Sequence, residues 1–113
     1  MIDNKMKTAE SEKLNAKTAL PDAHLVRKTA LIFRALNHPL RQKMLSLLVE
    51  KKKMTVTELY ELLFLEQSVV SQHLAILRRT GFVKTKKEGK YVWYMLQEQR
   101  LDQIHQVLQI LMS

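Results

Sequence analysis

The chain has 113 residues, 46% of them hydrophobic, which is enough for one domain with its own core. A formal net charge of +8 favours a polyanionic partner, either nucleic acid or an anionic membrane surface. With no cysteine, disulfides, thiolate metal sites and cysteine redox switches are all excluded, and a cytoplasmic location fits.

Residues 1 to about 20 are polar, mixed in charge and without an apolar stripe, so a mobile tail is expected at 1–20 and a folded domain at 21–113. Neither a secretory signal nor a membrane-spanning run of about 18 apolar residues is present. From Pro21 and Asp22 onward, Leu25, Thr29, Phe33 and Leu36 recur at helical spacing and predict a first helix over 22–36. The corner "NHP" ends it, because Pro39 disfavours a helical conformation at His38 and itself suits the first turn of a new helix. That second helix, 39–50, carries Leu40, Met44, Leu47 and Leu48 on its inner face and stops at a lysine run.

"TVTE" at 55–58 has the spacing of a capping box and opens a third helix over 56–64, with Leu59, Leu62 and Leu63 turned inward. After the polar break "LEQS", a fourth helix is expected over 67–79. It buries Val70, Leu74 and Leu77, with Gly81 as its left-handed stop. "FVKTKK" and "YVWYML" flank "EG", which predicts a β-hairpin turning at Gly89. A last helix carries Leu101, Ile104, Leu108 and Leu111 in one stripe. The stripe is generous for a terminal segment: it either folds over the first helix or meets a second copy, and we expect the dimer.

The fourth helix and the hairpin differ in chemistry. Opposite its apolar edge the helix presents Ser68, Ser71, Gln72, Ala75 and Arg79, nearly all uncharged. Glutamine pairs bidentately with adenine, and serine hydroxyls donate or accept at base edges. The hairpin carries Lys84, Lys86, Lys87 and Lys90. Between residues 66 and 94 there are six basic side chains against two carboxylates. A neutral face that discriminates bases, beside lysines that grip phosphate, is the division of labour a DNA reader needs. Tyr91, Trp93 and Tyr94 are read as packing residues of the wing rather than stacking platforms.

The order of elements is mainly α with a small β-hairpin, that is, a winged helix-turn-helix with flanking helices (α1-α2-α3-α4-β-wing-α5). "FRALNHPLRQKMLSLL", "TVTELYELL" and "EQSVVSQHLAILRRTGFVKTKKEGKYVWYML" together resemble the ArsR (SmtB-like) family of bacterial transcription regulators over roughly residues 25–97. The resemblance implies a homodimeric repressor on an inverted-repeat operator in double-stranded DNA. The first and last helices would then build the dimer interface through Leu25, Thr29, Phe33, Leu101, Ile104, Leu108 and Leu111. It also selects Gln67, Ser68, Ser71, Gln72 and His73 as base or backbone contacts, joined by Arg79 and the wing lysines. Glu66 stands where the family commonly has serine, a poorer helix cap beside the DNA backbone.

In the family a ligand, often a metal ion, releases the DNA. The arsenic- and cadmium-sensing branch uses a Cys-x-Cys pair at the start of the third helix. Here those positions are Thr55 and Thr57, and hydroxyls do not replace thiolates. The sulfide- and redox-sensing branch needs cysteines too. The zinc-sensing branch uses acidic and histidine ligands on the last helix, where Asp102 and His105 are the one candidate pair. A second pair further along that helix is missing, so neither a metal nor any other cofactor is expected, and the effector is left unnamed. No nucleophile–base set, phosphate loop or carboxylate pair points to catalysis. The rival to DNA reading is a winged helix that docks a protein and reads no sequence.

Overall fold

The computed structural model describes residues 19–113, so the expected tail, all but its last two residues, lies outside the described residues. Five helices and a hairpin follow: α1 (Ala23–Leu36), α2 (Pro39–Lys51), α3 (Val56–Leu63), α4 (Gln67–Arg79), β1 (Val83–Glu88), β2 (Tyr91–Leu96) and α5 (Glu98–Met112).

The local signals act as their chemistry requires. Asp22 caps α1 by accepting from the His24 and Leu25 N–H groups. His38 Nδ1 accepts from Leu40 N–H at 3.2 Å, with Pro39 in the first turn of α2. The capping box at α3 is complete: Glu58 N–H donates to Thr55 Oγ1, and Thr55 N–H donates to Glu58 Oε1. The end of α4 is a Schellman motif, with Gly81 N–H bonded to Arg78 O and Phe82 N–H to Leu77 O. Gly81 takes the left-handed position at φ +83°. Gly89 turns the hairpin at φ +62°, and the strands pair antiparallel from Val83↔Leu96 to Glu88↔Tyr91. Met54 adds a single bridge to Tyr94 on the free side of β2, which makes a small open sheet of three strands.

Around this frame lies one core, its largest fully buried side chains being Phe82, Met44, Leu48, Leu59, Leu74 and Leu77. Three expectations need correction. Leu62 is 47% exposed, because α3 is only two turns long and Leu59 alone of its leucines is fully buried. The helix also stops one residue early, at Leu63, where Phe64 adopts the left-handed conformation (φ +57°) that glycine usually supplies. Ile104 is 6% exposed and belongs to the core of the single chain, so it is not available to a partner. Beyond it α5 leaves the core, and Val107, Leu108, Ile110, Leu111 and Met112 are exposed rather than folded over α1.

The two left-handed glycines separate strain from contact. A Cβ on Gly89 meets nothing within 4 Å, whereas one on Gly81 lands 2.9 Å from both Nε and Nη2 of Arg100. Gly89→Ala is therefore expected to cost about 1 kcal/mol from the left-handed conformation alone. Gly81→Ala should cost about 1 kcal/mol more, since Arg100 must release its hydrogen bond to Thr80 O. Urea denaturation of both variants checks the order, and equal losses would refute the contact.

Candidate nucleic-acid interface

The rotation of α4 is set by Val70, Leu74 and Leu77, all fully buried. The helix therefore turns Gln67, Ser68, Gln72, Ala75 and Arg79 outward, with Ser71 half-buried at the margin. Glu66 makes no side-chain cap, and its carbonyl accepts from Val69 and Val70 N–H. The first N–H groups of α4 thus keep their positive end toward solvent, where phosphate is favoured.

His73 is placed differently from its neighbours. It turns toward the α1–α2 corner, half-buried, with Nδ1 3.1 Å from Arg41 Nη1 and its ring 4.8 Å from that of His38. Arginine only donates, so Nδ1 must be unprotonated and the neutral ring carries its proton on Nε2. Burial, and after it the charges of His38 and Arg41, hold His73 below the usual histidine value of 6.5.

Sequence reasoning missed Arg41 altogether. It is 8% exposed, the one buried charged side chain among the described residues. No carboxylate among the described residues meets it. Its Nε donates to Ala35 O at 2.7 Å and its Nη2 to Arg34 O at 3.3 Å, the carbonyls that end α1. The negative end of that helix stands in for a counter-ion. Arg41 thereby ties α1 to α4 through His73. Arg100, also missed, ties α5 to the far end of α4: Nε donates to Thr80 O at 3.0 Å and Nη1 to Gln103 Oε1 at 2.8 Å. The only sequence signal for either was a basic residue at a helix start, where the dipole disfavours it.

On the wing, residues alternate between faces. Lys84 and Lys86 share one with Trp93 and Met95, while Lys87 lies on the other with Val92. Glu88 draws two cations: Lys53 Nζ at 3.2 Å and Lys86 Nζ at 3.5 Å. The hydrogen bond and charge of Lys53, and secondarily Lys86, lower the Glu88 carboxyl from its ordinary value. Lys53 also sits 4.5 Å over the Trp93 ring, a cation that the sequence reading did not assign to the wing. Lys84, Lys87 and Lys90 are exposed and form no ion pair among the described residues.

Asp102 and His105 lie exposed one turn apart on α5. Among the described residues no group of three or more metal-capable side chains converges, so the pair is at most half a site. Thr55 and Thr57 sit at the start of α3, and the Thr55 hydroxyl is engaged in the capping box. Among the described residues no helix is long and apolar enough to cross a membrane.

A recognition helix with a neutral polar face, a helix before it and a basic hairpin after it define a winged helix-turn-helix DNA-binding protein. Residues 38–85 match the signature of the "Bacterial regulatory protein, arsR family". An uncharacterized HTH-type transcriptional regulator of Methanocaldococcus jannaschii is 38% identical over 77 residues, covering 68% of this chain and 86% of that one. The transcriptional activator HlyU of Vibrio cholerae is 41% identical over 69 residues, 61% of this chain and 63% of its own. Among solved structures, the transcriptional repressor PagR of Bacillus anthracis superposes with a TM-score of 0.62 at 28% identity, covering 77% of this chain and 99% of that one. The chain belongs to the arsR family of bacterial regulatory proteins. It is a sequence-specific DNA-binding regulator of transcription that has no cysteine-based sensor.

The His73–Arg41 bond makes a pH prediction. A folded value below the unfolded one means that the folded state resists protonation. The contribution of His73 is then full above about pH 6.5 and is lost as pH falls through its folded value. His73→Asn keeps an acceptor for Arg41 and does not titrate. The wild type is expected to lose more stability than this variant between about pH 7 and pH 5 in urea melts, and equal losses would remove His73 from the account.

Proposed function

We propose that the chain acts as a homodimer on an inverted-repeat operator, with α4 of each copy in a major groove and the wing along the backbone. The observation that carries this reading is the exposed Gln67, Ser68 and Gln72 face, held outward by three core residues and flanked by uncompensated lysines. In this reading Gln67, Ser68, Ser71 and Gln72 meet base edges or adjacent phosphate. Arg79, Lys84, Lys87 and Lys90 supply sequence-independent attraction. Lys86 contributes less, being shared with Glu88, and His73 acts from behind the helix by positioning it.

Exposed apolar side chains on the first and last helices support the dimer. On α1, Leu25 and Val26 are 59% and 49% exposed, and on α5, Ile110 and Leu111 are 72% and 68% exposed. Apolar area of this extent at the two ends of a small chain fits burial between copies. Thr29 and Leu108 are exposed beside them, with Phe33 and Leu101 half-buried at their inner margin. Residues 21–113 thus form the DNA-binding and dimerisation domain. The relatives include a named activator and a named repressor, and repression is our reading of an operator-bound dimer.

The direct test titrates the purified chain into a labelled fragment of the DNA upstream of its own gene, against unrelated DNA of equal length. Selective binding in steps of two chains is expected; no binding even at low salt would turn the assignment to a protein-docking winged helix. Gln72→Ala should weaken operator binding and leave unrelated DNA nearly unchanged. Lys87→Ala should weaken both and reduce the slope of log affinity against log salt by about one unit. Equal loss on both DNAs for Gln72→Ala would sink the base-reading role.

For the dimer, Leu111→Glu places a charge in the exposed stripe without touching the core. Sedimentation equilibrium is expected to show a shift to monomer with the thermal midpoint of the single-chain fold retained. A wild type that is monomeric at the same concentrations would refute the interface.

A further inference from the structure

Beside the C-terminal end of α4 lies a cavity of about 370 Å³ walled by α1, the start of α2, the end of α4 and the start of α5. Five cations line it: Lys28, Arg34, Arg41, Arg79 and Arg100. No Asp or Glu does. Both ion pairs among the described residues are on the wing, so none of the five has a carboxylate partner there. Its floor is apolar, from Leu31, Ile32, Ala35 and Ile76.

We propose that this cavity binds an amphipathic organic anion, a carboxylate on a short apolar body. Exposed lysines and arginines alone would be an ordinary solvated surface. Arg41 is not of that kind, because it is a buried guanidinium whose acceptors among the described residues are two helix-end carbonyls and an imidazole, partial charges rather than a full opposite one. Three of its five N–H groups are engaged by those bonds, which leaves donors for a ligand. Arg100 likewise spends only Nε and Nη1 on the protein. A carboxylate meets such planar donors bidentately, and the apolar floor favours a ligand with a hydrocarbon body over a bare inorganic anion. The size lies within the range of small-molecule sites.

The cavity also reaches the DNA side. Arg79 is the last residue of α4 and lines the cavity, and in the proposed function it faces phosphate. A bound carboxylate draws on the same guanidinium, so ligand and DNA oppose each other. This half of the inference rests on that DNA reading, whereas binding of the anion does not.

The test is calorimetric titration of the full chain, without DNA, with sodium octanoate, 1-octanol and inorganic phosphate. Saturable octanoate binding is expected, roughly tenfold or more tighter than octanol or phosphate. The Arg34 side chain makes no hydrogen bond among the described residues, so Arg34→Glu should weaken octanoate by roughly tenfold and leave the thermal midpoint unchanged. Lys28→Glu should act in the same direction from the other rim. Absence of saturable heat, as when a second copy or the chain's own N-terminal segment fills the space, would overturn the site. Equal affinity for octanol would overturn the role of the cations, and equal affinity for phosphate that of the floor. Saturating octanoate is then expected to weaken operator binding of the wild type but not of Arg34→Glu. Octanoate binding with unchanged operator affinity would overturn the opposition through Arg79. A chain that binds octanoate and no DNA would instead refute the DNA reading and leave the anion site standing.

Discussion

The angular position of one helix decides which neutral polar side chains this molecule exposes beside its basic wing. An α-helix turns about 100° per residue, so burying Val70, Leu74 and Leu77 leaves no freedom in which side chains face out. A slip of one residue would bring a different set outward and carry an apolar side chain into water. The hydrophobic contacts of α4 thus select its exposed face, although all of them lie in the core. The neutral chemistry of that face is compatible with this arrangement because attraction is delegated to the wing, where geometry is less exacting.

The middle and the C-terminal end of α4 are also held by arginines. Near its middle, His73 meets Arg41, which is itself bonded to the last carbonyls of α1. At its C-terminus, Arg100 reaches Thr80 O from the first turn of α5. Arginine suits both places, since its planar set of five donors satisfies several carbonyls at fixed angles. A lysine would satisfy fewer and would leave the helix ends incompletely bonded. The two helices that carry the exposed apolar faces are therefore the two that hold the recognition helix. Any displacement of α1 or α5 has short, directional bonds through which to reach α4.

The elements were legible in the sequence wherever a local rule decided them. The capping box at Thr55, the proline after His38 and the glycine stop at Gly81 involve neighbours in the chain, and their geometry follows from a few residues. Phe64 shows the limit: it takes the left-handed conformation where α3 ends, and a bulky aromatic gives no sign of it. Ile104 shows another, since the apolar stripe of α5 reads as continuous although its first part serves the core and its remainder serves the surface. In the site, exposure of Gln67, Ser68 and Gln72 followed from helical periodicity. The partners of Arg41 and Arg100 did not, because hydrogen bonds 20 to 32 residues apart depend on how helices cross, and no sequence spacing encodes that.

The distribution of charge carries the last step. On the wing, Glu88 binds Lys53 and Lys86, while Lys84, Lys87 and Lys90 meet no carboxylate among the described residues. Pairs so exposed contribute little to stability, so the arrangement is better understood through the field it leaves. One carboxylate moderates the sheet side of the wing, and the remaining lysines project an uncompensated potential. A docking module for protein gains nothing from such a potential beside an uncharged helix, whereas a duplex, with a phosphate charge about every 1.7 Å of its axis, gains on every lysine while the helix sorts sequences. The same logic separates the wing from the cavity beside the C-terminal end of α4. There the cations surround an apolar floor and enclose a space too small for a duplex, so one excess of positive charge supports two kinds of anion on two sides of a single helix.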